Sequence, residues 1–291
     1  MEYFVRHRTS YRYLQDVSYS YHLAHLRPRE TALQRLLSSV LKVTPAPANR
    51  VARTDYFGNG SEWFALDQPH TTLEILSESR VRVGPPSPCD PGLSESWEAV
   101  RIRVELGDDE MAREAVQYIF DSPHTGFQSD IASYAAESFP PQGTLLTGAI
   151  DLMHRIHRDF RYDKTVTDIA TPIDRILEIR AGVCQDLAHV GIAAMRSLGL
   201  PARYVSGYLL TAPPPGQKKL LGADASHAWF SVFAPPFGWV DLDPTNDMLT
   251  GEGHVTLAWG RDYGDIVPVG GVVMGGSDHI VEVGVDVIPV D

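Results

Sequence analysis

The spacing of apolar residues changes once along this chain of 291 residues, and the change divides it into two parts. Up to Val83, short runs rich in Tyr, Val and Thr alternate as half-buried strands do, and turn residues separate them. Residues 84–92 then hold four prolines, which can continue neither a strand ladder nor a helix. From Asp108 the apolar residues recur at helical spacing. We therefore predict a β-rich domain over residues 1–84, a connector with a strand over 85–107, and a second domain over 108–291.

The first domain is predicted to be a small β-sandwich or open barrel. Its turn-bounded runs give five predicted strands, at 2–13, 17–26, 50–57, 62–66 and 71–83. Residues 57–60 read Phe-Gly-Asn-Gly, and Gly and Asn tolerate the positive φ that a tight β-turn requires. We expect a hairpin at that point.

The second domain is predicted to be α+β, with helices first and an antiparallel sheet after them. Helical patterns cover residues 108–120, 130–138, 145–160 and 172–180, and a further helix begins at or near Cys184. Three strand-like runs follow it, at 202–210, 226–233 and 238–243. Alternating valines over 281–287 predict a last half-buried strand in the same domain.

Charge and composition exclude several classes of function. Asp and Glu outnumber Lys and Arg by 37 to 25, and the net charge of −12 would repel a nucleic-acid backbone. We therefore predict no nucleic-acid partner. No apolar run has the length of a secretory signal or a membrane span, so we predict a cytoplasmic protein without a membrane partner. Its two cysteines, Cys89 and Cys184, are too few for a disulfide framework or a Cys-rich zinc site.

Cys184 is the first candidate for chemistry. It follows a glycine and stands where the predicted helix begins. A helix N-terminus presents unpaired N–H groups and partial positive charge, which favour a thiolate and can hold a developing oxyanion. The alternative is a small, buried and inert cysteine, which is how free cysteines usually occur. A base close to Cys184 would favour the interpretation as a nucleophile over that as an inert cysteine.

His227 is the candidate base. Strand alternation puts His227 and Trp229 on one face of the run 226–233, and Asp243 lies on the corresponding face of the next run. A three-residue connection would pair His227 directly with Asp243, whereas a five-residue connection makes them diagonal neighbours. In either register the carboxylate reaches the imidazole, fixes its tautomer and leaves the other ring nitrogen for the nucleophile.

These residues resemble the transglutaminase-like branch of the papain-like cysteine enzymes. The resemblance lies in Gly-Val-Cys-Gln-Asp at 182–186, His-Ala-Trp at 227–229 and Asp-Pro-Thr at 243–245. The segments 199–208 and 260–265 are also similar to that family, and Tyr11, Leu26-Arg27 and the run 56–59 are similar to the β-rich N-terminal region of its bacterial members. The resemblance implies a papain-like core of helices followed by an antiparallel sheet.

The same resemblance implies Cys184 as nucleophile, His227 as base and Asp243 as orienting carboxylate. It also implies an aromatic oxyanion donor ahead of the cysteine, for which Tyr162 is the candidate because its hydroxyl can donate. Tyr162 could equally cap the helix below it. Trp229 is a second candidate for contact with the oxyanion or the substrate. For Gln185, a backbone N–H is favoured as donor over the side-chain amide.

The triad predicts acyl transfer through a thioester on a peptide or protein amide substrate. Water as acceptor makes a protease or amidase, which we predict first; an amine makes a transamidating enzyme. A binding module with an idle triad is the alternative from another class. We predict no cofactor and no metal, because Cys184 and His189 are five residues apart and diverge on a helix. The loop 212–225 is expected to influence substrate choice, and the oligomeric state is left open.

Overall fold

The computed structural model describes residues 1–211, 226–276 and 278–290. The N-terminal region contains five strands: β1 (Glu2–Ala24), β2 (Gln34–Thr44), β3 (Asn49–Thr54), β4 (Gly60–Leu66) and β5 (His70–Val83). Helices dominate the middle: α1 (Trp97–Leu106), α2 (Glu110–Ala115), α3 (Ser129–Ala136), α4 (Leu145–Asp159), α5 (Ile173–Ile179) and α6 (Cys184–Ser197). Two short strands lie among the helices, β6 (Arg161–Tyr162) and β7 (Ala181–Gly182).

Strands return after α6. They are β8 (Ala202–Leu209), β9 (Ser226–Phe233), β10 (Trp239–Asp243), β11 (Met248–Leu249), β12 (His254–Gly260), β13 (Val269–Gly275) and β14 (His279–Val290). This order of helices and then antiparallel strands confirms the α+β class. Among the described residues, every helix is too short or too polar to cross a bilayer.

The N-terminal region forms one sheet in the order β2-β5-β1-β4-β3, and both β13 and β14 pair with β1. The register of β1 with β14 runs from Glu2 opposite Val290 to Tyr13 opposite His279. The predicted second domain over 108–291 is therefore wrong at its C-terminal end. The alternating valines do form a strand, but its partner is the first strand of the chain, and alternation alone does not identify a partner.

Alternation explains the burial within this sheet. The side chains of β1 alternate between buried and accessible over its first eight residues. Nine buried residues of β1, β2, β4, β5 and the segment after β1 pack into a small core of their own, so the predicted sandwich is one sheet folded over this core. The predicted hairpin is present, because β3 and β4 pair across 55–59 and Gly58 has a φ of 80°.

The predicted strand within 85–107 is also wrong, because α1 occupies most of the second half of that segment. Ser96 caps the helix by accepting a hydrogen bond from the Ala99 N–H, and Gly107 ends it in the left-handed conformation with a φ of 64°. Val100 and Val104 are four residues apart and both buried, which is the spacing of a helix face. Strand β2 was not predicted.

The second sheet has the order β11-β10-β9-β8-β12, and α6 packs against its β8 and β9 strands. The approach is close at Gly191, where an added Cβ would lie 2.7 Å from the Phe230 ring. This contact seats α6 directly on β9. The N-terminus of α6 and the His227 end of β9 thereby come to the same edge of the core.

Candidate active site

Cys184 is the first residue of α6, as the sequence predicts. Asp186 stabilises this end of the helix: its Oδ2 accepts hydrogen bonds from the Val183 N–H at 2.8 Å and from the Thr167 hydroxyl at 2.7 Å. A Cβ on Gly182 would lie 2.5 Å from that carboxylate oxygen, so glycine is required there for close approach. The turn before the helix is thus fixed, and the first N–H groups of α6, which have no partner within the helix, lie at the end that carries the thiol.

The β9–β10 hairpin positions the other two residues. Phe233 is opposite Trp239, which leaves a five-residue connection and makes His227 and Asp243 diagonal neighbours. This is one of the two registers that the sequence leaves open. Nε2 of His227 lies 2.7 Å from Oδ2 of Asp243. The predicted contact between imidazole and carboxylate is confirmed.

The Cys184 thiol lies within interaction range of the His227 ring. Because Nε2 is engaged with Asp243, Nδ1 is the ring nitrogen left for the nucleophile. Burial by itself lowers the pKa of His227, but the interactions with Asp243 and Cys184 outweigh it and raise the pKa to about 9. With its pKa raised in this way, the ring holds a second proton at neutral pH and can act as an acid.

Asp243 is fully buried and accepts five hydrogen bonds. Its Oδ1 accepts from the backbone N–H groups of Thr245 at 3.0 Å and Asn246 at 3.2 Å. Its Oδ2 accepts from His227 and from the side-chain amide of Asn246 at 2.7 Å. Burial alone raises the pKa of Asp243, but hydrogen bonds from His227 and His254 hold it well below its usual value. The carboxylate is therefore a fixed negative charge behind the imidazole.

His254 also contacts this carboxylate, and the sequence did not identify it. Its ring is buried, and its Nε2 lies 3.2 Å from Oδ2 of Asp243. Its Nδ1 accepts a hydrogen bond from the Gly251 N–H at 3.1 Å, so the proton is on Nε2 and is donated to Asp243. His254 begins β12, which pairs with β8 at the far edge of the sheet. No local motif signals a contact that depends on this pairing.

We expect His254→Phe to destabilise the folded protein, because it removes one hydrogen-bond donor to the buried Asp243 carboxylate. The free energy of unfolding should fall by about 1.5–3 kcal/mol in urea denaturation. His154→Phe is the control: His154 is exposed and pairs with Asp247 at the surface, so its replacement should change stability by less than about 0.5 kcal/mol. Equal losses in the two variants would show that Asp243 does not depend on His254.

Tyr162 lies beside the nucleophile. Its strand β6 pairs in parallel with β7, which places Tyr162 opposite Gly182. Burial and the nearby Cys184 raise the pKa of Tyr162, and the side chain is 46% exposed. This position is compatible with a donor that faces the site, and pairing with β7 accounts for the residue better than capping of α4 does.

Trp229 does not suit an oxyanion donor. Its indole N–H donates to Oδ2 of Asp241 at 3.0 Å, and its side chain is fully buried. The ring lies 6.0 Å from the His227 ring and 5.3 Å from the His254 ring, centroid to centroid. Trp229 therefore packs against both imidazoles and supports their orientation.

One group of described residues could hold a metal ion: His227, Asp243 and His254, whose ligand atoms lie within 4.8 Å of one another. The carboxylate oxygen and both Nε2 atoms are engaged in the hydrogen bonds given above. Those bonds account for the cluster, and the prediction of no metal stays a prediction. The loop at 212–225 lies outside the described residues.

Comparison with known proteins shows the family to which this chain is related. The model of the bacterial transglutaminase-like N-terminal region matches residues 3–82, and that of the transglutaminase-like superfamily matches 132–244, which contains all three site residues. An uncharacterised protein of Mycobacterium tuberculosis is 41% identical, over 99% of this chain and 92% of its own length.

Two further matches concern named activities. A protein-glutamine gamma-glutamyltransferase of Pseudomonas aeruginosa is 33% identical over 94 residues, which are 31% of this chain and 14% of that protein. The crystal structure of a "Putative Cysteine Protease" from Cytophaga hutchinsonii superposes with a TM-score of 0.75 at 22% identity, over 100% of this chain and 92% of that one. The likeness to the Cytophaga structure shows the fold of this chain.

Proposed function

Because this chain belongs to the transglutaminase-like superfamily, we propose that it is a cysteine-dependent enzyme that acts on amide bonds through a thioester at Cys184. The central observation is the chain of contacts from the Cys184 thiol through the His227 ring to the buried Asp243. A small buried cysteine without a role needs no such partner. We assign Cys184 as nucleophile, His227 as acid and base, and Asp243 as the carboxylate that orients His227.

The geometry supports the following sequence of steps. The Cys184 thiolate attacks the amide carbonyl carbon, and negative charge develops on the carbonyl oxygen beside the first turn of α6. The His227 imidazolium donates its Nδ1 proton to the leaving nitrogen, the C–N bond breaks, and an amine departs. A thioester remains on Cys184. An acceptor then gives a proton back to His227 as it attacks, and the thiolate is released.

We propose water as the main acceptor, which makes the enzyme a protease or amidase. Cys184 is only partly buried, and Tyr162 beside it is 46% exposed. A thioester at such a position is open to hydrolysis, whereas transfer to an amine requires that water be kept away. The substrate class is a peptide or protein amide.

Transamidation is the second candidate. It is supported by the partial match to the Pseudomonas protein-glutamine gamma-glutamyltransferase. Both reactions share the thioester, so they differ in the acceptor alone. Adding an amine, which competes with water for the same thioester, therefore distinguishes transamidation from hydrolysis.

Alkylation tests the nucleophile. The two cysteines are free and both partly buried, so Cys89 is an internal reference for Cys184. With iodoacetamide at neutral pH we expect Cys184 to react at least about tenfold faster than Cys89, because only Cys184 is paired with an imidazolium. His227→Ala should remove the difference. Equal rates in the unaltered protein would favour the binding module with an idle triad.

Product analysis tests the acceptor. We expect mass spectrometry of a glutamine-containing peptide library to show cleaved or deamidated products that depend on Cys184. Added primary amine should convert only a minor share into amine adducts. Adducts as the dominant product would assign transamidation instead. The absence of both kinds of product would count against the enzyme.

We propose a cytoplasmic location, which the two unpaired thiols support, because reducing compartments keep cysteines free. Fractionation of cells that produce the tagged full-length chain tests this. Recovery from a periplasmic or extracellular fraction would contradict it.

A further inference from the structure

A cavity of about 510 Å³ lies between the N-terminal region and the second sheet. Residues 31–34 and 83–89 form one wall, and β10, β11 and β12 form the other. Neither Cys184 nor His227 is among its described lining residues. Its volume suits a small organic ligand. Much of its lining is apolar, including Leu33, Val83, Met111, Phe237, Val240 and Leu249.

Arg203 lines this cavity and forms no hydrogen bond or ion pair with a described carboxylate, although Asp241 lies within electrostatic range. It is 5% exposed, and its guanidinium lies between two indoles, 4.2 Å from the Trp239 ring centroid and 3.8 Å from that of Trp259. The indoles cover both faces of the guanidinium. Its hydrogen-bond donors lie along the edge, in the plane between the rings.

That edge has no acceptor within the described part of the chain. The Arg203 Nε is buried and makes no hydrogen bond there, and the guanidinium forms no ion pair with a described carboxylate. Buried N–H groups without a partner are costly, and buried charges are normally paired. Stacking on indoles stabilises the cation but does not satisfy its donors. An acceptor from outside the protein would complete the site.

The charges around the cavity favour an anion as that acceptor. A second guanidinium, of Arg29, stacks on Trp259 with its carbon 3.5 Å from the ring centroid. The carboxylate that lines the cavity, Asp241, already accepts the Trp229 indole N–H. Two cations therefore flank Trp259. The carboxylates of Asp55, Glu114 and Asp241 lie within electrostatic range of one or both, but none of the three forms a hydrogen bond or ion pair with either guanidinium in the described part of the chain.

We propose that this cavity binds a small carboxylate with an apolar body, whose carboxylate lies on the edge of Arg203. The planar fork of a guanidinium matches a carboxylate with two parallel hydrogen bonds. The apolar walls accommodate the hydrocarbon part and disfavour a multiply charged anion. Cys184, His227 and Asp243 are not among the described lining residues, although His254 is, and binding here does not require that the proposed activity exist.

Binding to the full-length protein is tested with two probes, hexanoate and 4-phenylbutyrate, and with their neutral amides as controls. We expect saturable binding of at least one carboxylate by titration calorimetry. Tryptophan fluorescence should change with it, because Trp239 and Trp259 flank the charge. The matching amide should bind at least about tenfold more weakly. The Arg203→Met variant should also bind the carboxylate at least about tenfold more weakly than the unaltered protein does.

Because Arg203→Met alters a buried residue and can unfold the protein, a second variant leaves Arg203 in place. Gly251 lines the cavity, and an added Cβ there meets no atom within 4 Å, so Gly251→Leu should fold and fill the space. Gly126→Leu is the matched control, because its Cβ also meets nothing within 4 Å and it does not line the cavity. We expect Gly251→Leu to abolish binding and Gly126→Leu to retain it.

Cys89 gives an independent readout, because it lines the same cavity. A bound carboxylate should slow its alkylation at least about twofold and leave Cys184 labelling unchanged. The proposal is overturned if neither carboxylate binds saturably, if the amides bind as tightly, or if Gly251→Leu binds as the unaltered protein does. If the protein binds the carboxylate but Cys184 shows no reactivity or catalysis, the proposed function is overturned and the carboxylate site is not.

Discussion

Replacing Cys184 by Ser is expected to lower kcat on any amide substrate by about a thousandfold or more, because a serine hydroxyl beside an imidazolium is a far weaker nucleophile than a thiolate. The change removes no packing, since sulfur and oxygen occupy a similar place at the start of α6. Folding should therefore be retained. Steady-state kinetics on a peptide or amide that the unaltered protein turns over provides the measurement, and circular dichroism reports the fold.

Cys89→Ser is the matched control, because it removes the other free thiol and lies outside the proposed triad. Its kcat should stay within about twofold of the unaltered protein. Full activity in the Cys184→Ser variant, or equal losses in the two serine variants, would rule out a covalent intermediate at Cys184.

Replacing Asp243 by Asn is expected to have the second largest effect. Asparagine keeps the shape but removes the charge that orients and stabilises the His227 imidazolium, and in such triads the loss in kcat is about a thousandfold to ten-thousandfold. The pKa of His227 should also fall from about 9, since the hydrogen bond with Asp243 raises it. The alkaline limb of the pH profile of kcat/KM should then move to lower pH.

Asp247→Asn is the control for this change. Asp247 is an exposed carboxylate four residues away that pairs with His154, and asparagine tolerates its φ of 55°. Its kinetics and its alkaline limb should match those of the unaltered protein. An unshifted limb in Asp243→Asn would mean that another group sets the pKa of the acid.

The same pKa shifts predict how stability depends on pH. The pKa of Asp243 is lowered in the folded protein, so its contribution is present above its usual value of 3.8 and is lost as the pH falls toward its folded pKa. The pKa of His227 is raised, so its contribution is present below 6.5 and is lost as the pH rises through about 9. Urea denaturation of Asp243→Asn and the unaltered protein between pH 2 and 10 should show both changes only in the unaltered protein.

The central residues of the site could be predicted because each stands in a local pattern. Cys184 begins an apolar helical stripe, and His227 and Asp243 stand on the matching faces of two strands joined by a short connection. Hairpin geometry makes such strands neighbours, so the contact between imidazole and carboxylate follows from the sequence in either register. His254 could not be found in this way, because β12 reaches the site by pairing across the sheet with β8.

The errors in the fold have two different physical causes. Helix α1 has a local signal in the sequence: Ser96 as cap, Glu98 in the first turn and Gly107 after the end. The prolines end at Pro91, five residues before this cap, so they do not interrupt the helix. The partner of β14 had no local signal. Alternating valines specify a half-buried strand, and which of the exposed edges it joins depends on the rest of the fold.

The pairing of β1 with β14 has a consequence for synthesis. Translation proceeds from the N-terminus, so β1 can pair early with β4 and β5 but gains β14 only after residues 279–290 have been made. Val285 and Val287 also pack in the same core as Tyr3 and Val5, and that core extends to α6. A prematurely terminated polypeptide would contain Cys184, His227 and Asp243 but would present an open strand edge and a depleted core. Cellular quality control would therefore encounter such a fragment as a misfolded protein and degrade it, although the fragment carries all three residues of the site.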